Sequence, residues 1–85
     1  MKVIHISDYN PRMGKLIDIE SYDLYKLNHI DGAINIPNDT LLYNKDRLLN
    51  KNDTYYIYCR GGHKSKRVVS ILESYGFNVV QVLLK

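Results

Sequence analysis

"TYYIYCRGGHKSKRVVSILESYGFNVVQVLL", residues 54 to 84, decides the fold. Thr54 to Tyr58 is β-branched and aromatic, the composition of a strand. A glycine pair follows. Ser65 then predicts the start of a helix whose Val68, Val69, Leu72 and Tyr75 recur at helical spacing, and Gly76 is placed to end it. Asn78 to Leu84 supplies another strand. Strand, glycine loop, helix and strand make a βαβ unit, in which the crossover sets the two strands parallel. An α/β fold is therefore expected, a small, mostly parallel sheet flanked by helices. Ligands of such sheets bind beyond the carboxyl ends of the strands. The only cysteine, Cys59, lies there.

Upstream, Val3 to Ile6 predicts a short strand, followed by a polar loop through Asn10, Pro11 and Gly14. Leu16 to Ile19 predicts a buried strand. Ser21 can cap a short helix through Leu27, with Tyr22, Leu24, Tyr25 and Leu27 offering apolar surface, before a turn at Asp31-Gly32. Ala33 to Ile36 is a brief strand stopped by Pro37. Leucines 41, 42, 48 and 49 belong to one or two short helical pieces, and Asn50 to Asp53 is a turn.

At 85 residues the chain is expected to form one domain, 1–85. No apolar run is long enough to span a bilayer and the start has no signal-peptide pattern, so a soluble, cytoplasmic protein is expected. One cysteine cannot form an internal disulfide, which suits a reducing compartment. With three scattered histidines, His5, His29 and His63, it supplies no metal-ligand spacing. The formal charge of +3 favours anionic ligands but is too weak to point to nucleic acid. One local concentration of cations, Arg60, Lys64, Lys66 and Arg67, surrounds the cysteine.

Gly61 and Gly62 clear side chains from a tight turn, so that successive backbone N–H groups can point at a common centre. The helix start adds its unsatisfied N–H groups and positive dipole end. A thiol of pKa about 8.5 falls to between about 3.5 and 7.5 in such surroundings, and Arg60, His63 and Lys64 add cations, so Cys59 is expected to be a nucleophilic thiolate. The bland reading is a small buried hydrophobe followed by an ordinary turn. His63 either tunes the loop or faces solvent, and His29 is a structural hydrogen-bonding residue. His5 is assigned nothing, Lys66 and Arg67 either form a solvated helix face or steer an anionic substrate or protein partner, and the eight tyrosines are core and surface filler.

With these residues in view, two segments resemble the single-domain rhodaneses, a sulfurtransferase family. "LIDIESYDLYKLNHIDGAINIP", residues 16 to 37, is similar to the family's early stretch, and "YCRGGHKS", residues 58 to 65, to its active-site loop. The resemblance implies that Cys59 carries sulfur and that Arg60, Gly61, Gly62, His63, Lys64 and Ser65 form the substrate-binding loop whose amides hold a persulfide. Asp18 and His29 match positions that support the fold around the site. Three departures stand out. Glu20 occupies a position where the family often has arginine, Lys64 stands where arginine is frequent, and the chain stops at Lys85 without the usual closing helix. From that last departure one sheet face is expected to be thinly covered, shared with a second subunit in a homodimer, or exposed by truncation.

The resemblance implies a thiosulfate sulfurtransferase-like enzyme. It would take sulfane sulfur from a small anionic donor and pass it to a thiol, cyanide or protein acceptor, with no metal or organic cofactor and no membrane partner. Two alternatives remain. A phosphatase or arsenate reductase, which the related fold of the cell-cycle dual-specificity phosphatases brings in, needs five residues between cysteine and arginine. Here Lys64 comes one place too early. A catalytically weak protein-interaction or regulatory module is the other, kept open by Glu20, Lys64 and the short C-terminus.

Overall fold

The computed structural model describes residues 1–85. Five strands, β1 (Lys2–His5), β2 (Lys15–Asp18), β3 (Ile34–Asn35), β4 (Thr54–Tyr58) and β5 (Asn78–Leu83), form one sheet in the order β1-β5-β4-β2-β3. Every pairing is parallel, so the sheet expected to be mostly parallel is wholly so. The helices are α1 (Tyr22–Leu27), α2 (Asn38–Tyr43), α3 (Lys45–Leu48) and α4 (His63–Ser74), and two 3₁₀ turns, Ile6–Asp8 and Pro11–Met13, connect β1 to β2. No helix is long and apolar enough to cross a membrane.

Strand alternation sorts the core into two layers. Ile17, Ile19, Tyr55, Ile57, Cys59 and Val79 share the larger cluster, closed by Leu41 of α2 and by Val68, Val69 and Leu72 of α4. Leu16, Tyr56, Tyr58, Val80 and Val82 face the other way, against Ala33 and the half-buried Tyr9, Tyr25 and Ile30. Burial of twelve residues in the first cluster against six in the second makes the α4 side the main source of hydrophobic stabilisation.

Several sequence expectations are corrected. Helix α4 begins at His63 and not at Ser65, because Gly62 takes a left-handed φ of 85° and serves as the N-cap. Ser65 thereby becomes the third helical residue and is fully buried. Tyr75 lies just past the end of α4, exposed, with the Lys45 ammonium 4.3 Å from its ring centroid. Tyr22 and Leu27 are exposed too, since the six-residue α1 turns only one narrow stripe inward, around Tyr25.

Nor are all the tyrosines filler. Tyr9 donates to the Gly14 carbonyl at 2.8 Å, Tyr25 to the Ala33 carbonyl at 2.7 Å, and Tyr55 accepts from Asn50 N–H at 2.7 Å. Each hydroxyl satisfies a backbone group of a connection, tying it to the core. His5, given no role from sequence, accepts from Ser7 N–H through Nδ1 and caps the first 3₁₀ turn.

Register positions the site. Asp18 of β2 pairs with Tyr58 of β4, and Ile57 of β4 with Gln81 of β5. Ile19 N–H still donates to the Tyr58 carbonyl at 3.2 Å, so residues 19 and 20 run beside 59 and 60 as both strands end.

Candidate active site

Cys59 leaves the carboxyl end of β4 on the α4 face and is 3% exposed. Its Sγ accepts from Gly62 N–H and from Ser65 N–H, both at 3.2 Å, and lies 3.3 Å from Ser65 Oγ. The geometry follows from local sequence. A glycine N-cap has no side chain to satisfy the first-turn amides of α4, and the cysteine sulfur fills that role. Neutral sulfur is a weak acceptor, so two converging amides suit a charged sulfur better. Of the amides expected to form the cradle, the structure brings those of Gly62 and Ser65 onto the sulfur.

The Arg60 amide goes elsewhere. It donates to Glu20 Oε2 at 2.8 Å, and the Lys64 ammonium donates to Oε1 of the same carboxylate at 3.0 Å. Burial opposes ionisation of Glu20, but the Arg60 N–H and the Lys64 ammonium outweigh it and hold its carboxyl below the usual carboxylate range. The hydrogen bond to Glu20 in turn raises Lys64 above the ordinary lysine value. Glu20 thus anchors both ends of the cysteine loop. The Arg60 guanidinium is engaged with the last carbonyls of α1, donating to Leu24 O at 2.7 Å and Asn28 O at 3.2 Å, where the helix dipole favours a cation.

His63 occupies the exposed first position of α4 and faces solvent. His29 stacks on Tyr25, with ring centroids 3.8 Å apart, and hydrogen-bonds the Tyr25 carbonyl at 2.7 Å, the structural role expected of it. Asp18 braces the end of β2: Oδ1 accepts from Glu20 N–H at 2.8 Å and Oδ2 from the Tyr58 hydroxyl at 2.9 Å. The same hydroxyl accepts from Ile30 N–H, and burial together with the Asp18 carboxylate raises Tyr58 above the ordinary tyrosine range.

Sequence reasoning missed Gln81. This residue is 4% exposed on β5, and its Nε2 donates to Gly62 O at 2.8 Å and to Ser65 Oγ at 3.0 Å. A signal was present: one amide inside the apolar run "VVQVLL" must find polar partners if the strand is buried. The loop opens on a cavity of about 110 Å³ lined by Cys59, Arg60, Gly61, Gly62, Leu83, Leu84 and Lys85. A larger one, about 590 Å³, lies at the amino ends of β2 and β4 between Tyr9, Arg12, Lys15 and Asp53, remote from the cysteine. The convergent donors, and not cavity size, mark the site.

Comparison with known proteins bears on the family and the fold. The family model described as a Rhodanese-like domain matches residues 5–85. Thiosulfate sulfurtransferase PspE of Escherichia coli (strain K12) is 36% identical over 69 residues, which cover 76% of this chain and 64% of that protein's length. A rhodanese-like domain protein from Staphylococcus aureus superposes with a TM-score of 0.81 at 32% identity, covering 96% of this chain and 84% of the other. A rhodanese-related protein from Thermoplasma volcanium gives 0.85 at 26% identity, covering 96% and 83%.

Proposed function

The chain belongs to the rhodanese-like domain family, and from that premise we propose that it is a sulfurtransferase that carries sulfane sulfur as a persulfide on Cys59. The observation that carries the reading is the convergence of the Gly62 and Ser65 amides on Cys59 Sγ, at 3.2 Å each, beside the Ser65 hydroxyl. Such preorganised donors stabilise negative charge on sulfur without reorganising during the reaction.

In the first step the Cys59 thiolate attacks the outer sulfur of a donor such as thiosulfate. The Sγ–S bond forms, the donor's S–S bond breaks, and sulfite leaves with the bonding pair. Cys59 is left as an anionic persulfide whose outer sulfur faces the small cavity bounded by Gly61, Gly62, Leu83 and Leu84. A thiophilic acceptor then attacks that outer sulfur, takes it, and returns Cys59 to the thiolate, a two-step exchange through a covalent intermediate. With cyanide as acceptor the product is thiocyanate. Lys85, on the rim of the cavity, attracts an anionic donor; the Arg60 guanidinium is held by the Leu24 and Asn28 carbonyls, and Lys64 acts only as far as Glu20 releases it.

The test is intact-protein mass spectrometry of the reduced protein before and after thiosulfate, without added reductant, alongside Cys59→Ser. The expected result is a gain of one sulfur atom, absent in the variant and released by cyanide. A second reading, a binding module with low turnover, is favoured by the Glu20–Lys64 pairing, which leaves fewer free donors for a small anion. It predicts no gain of sulfur from thiosulfate or from a small-molecule persulfide.

A further inference from the structure

We propose that Gln81 is a positioning residue for the sulfur-transfer reaction, acting by freeing the Ser65 hydroxyl to donate to the charged sulfur of Cys59. The inference rests on the reading of Cys59 as the sulfur carrier. It begins with one over-subscribed carbonyl. Gly62 O lies within hydrogen-bond reach of three donors, Lys66 N–H at 3.1 Å, Ser65 Oγ at 3.2 Å and Gln81 Nε2 at 2.8 Å. A carbonyl oxygen has two lone pairs. The Lys66 bond belongs to the first turn of α4, and the Gln81 bond is the shortest of the three. Ser65 is therefore the donor that Gly62 O can release.

Cys59 Sγ is the other acceptor within reach of that hydroxyl, at 3.3 Å. While Cys59 is a thiol, its S–H donates to Ser65 Oγ and the Ser65 hydroxyl donates to Gly62 O. Once the proton has left, no S–H remains, and the hydroxyl rotates to donate to Sγ. Gly62 O stays satisfied because Lys66 and Gln81 still hold it. The charged sulfur then has three donors, two amides and one hydroxyl. The second N–H of the Gln81 amide donates to Ser65 Oγ at 3.0 Å, which fixes that oxygen in place through the change. Orientation of the Gln81 amide is not arbitrary, since flipping it would set its oxygen against a carbonyl.

Placement follows from β-sheet periodicity. Gln81 sits opposite Ile57, two residues before Cys59, on the face it shares with Val79 and the cysteine. Ser65 is fully enclosed and Gln81 nearly so, which limits replacement of the missing donor by solvent.

Gln81→Met keeps volume and removes the donors, and Gln81→Glu keeps the shape with acceptors in their place. The measurement is the pH dependence of Cys59 alkylation by iodoacetamide in the wild type, Gln81→Met, Ser65→Ala and the double variant. Without Gln81, the Ser65 hydroxyl stays on Gly62 O. The pH of half-maximal alkylation should then rise by about one unit, the equivalent of one charge-assisted hydrogen bond. Ser65→Ala should give a similar rise, and adding Gln81→Met to it should add nothing, because the route through the hydroxyl is already gone. Gln81→Glu should shift the profile upward at least as far. An unshifted profile in Gln81→Met, or equal shifts with and without Ser65, would overturn the proposal. If the shifts appear as expected while the wild type gains no sulfur from thiosulfate or a small-molecule persulfide, the sulfur-transfer reading fails and the coupling of Gln81 to Cys59 stands.

Discussion

Glu20→Gln isolates the contribution of a buried carboxylate that the family pattern does not lead one to expect. The side chain is 6% exposed and accepts from the Arg60 amide at 2.8 Å and the Lys64 ammonium at 3.0 Å. Glutamine has the same shape, and its oxygen can keep the Arg60 N–H. Its amide nitrogen, however, faces another donor, Lys64. A hydrogen bond to a charged acceptor contributes about 1.5 to 3 kcal/mol against about 1 for a neutral one, so the Arg60 contact weakens by about 1 kcal/mol. The Lys64 side chain is 55% exposed, and solvent screening limits its pairing to at most about 1 kcal/mol. The expected loss of folding free energy near neutral pH is about 2 kcal/mol.

The pH dependence gives the sharper test. Glu20 titrates below its ordinary value in the folded protein, so its stabilising contribution is fully present above the unfolded carboxyl's pKa of about 4.3. That contribution is lost as pH falls through the lower, folded-state value. Urea unfolding followed by circular dichroism, from about pH 7 down to about pH 3, should show wild type and variant converging at the acid end. Convergence is expected because a protonated Glu20 resembles glutamine. A gap that stays constant over the whole range would refute the reasoning and assign the effect to packing.

Other substitutions probe the same frame. Tyr58→Phe removes the hydroxyl that donates to Asp18 and accepts from Ile30 N–H; leaving the buried Asp18 oxygen and the half-buried Ile30 N–H unpaired should cost about 2 to 4 kcal/mol, read as a lower thermal midpoint, and an unchanged midpoint would contradict it. Arg60→Met removes the bonds to Leu24 O and Asn28 O and should cost about 1 kcal/mol of stability. Its rate of sulfur uptake from thiosulfate should change by less than about threefold, and a tenfold fall at unchanged stability would make donor binding the arginine's main role.

Residues 54 to 84 disclosed the βαβ unit because their strand composition, glycines and helical spacing all pointed to one structure. Local patterns of this kind account for the parallel sheet, the place of Cys59 beyond β4, and the two short helices between Pro37 and Asn50. Helix α4 starts two residues before Ser65, which resembles an N-cap in sequence, because Gly62 caps instead through the left-handed backbone that a glycine pair allows. Glu20 was noticed only as an absent arginine. Its partners lie 40 and 44 positions away, brought close by the pairing of Asp18 with Tyr58. Gln81 escaped for the same reason, since its role exists only once β5 lies beside β4 and the cysteine loop folds over it.

These long-range contacts explain how the loop holds its shape. Glu20 fixes the loop at Arg60 and Lys64, Gln81 fixes it at Gly62 and Ser65, and neither uses the two amides aimed at the sulfur. Organisation of the cradle is thus separate from occupation of its centre. The sulfur of Cys59 takes the Ser65 N–H as the side-chain oxygen of an N-cap residue would in an ordinary helix, and receives the Gly62 N–H as well. A serine oxygen can take the same two amides. Cys59→Ser should therefore fold and keep its helix cap while losing the capacity to hold sulfur, so that a missing sulfur gain in that variant reports on chemistry and not on a collapsed loop.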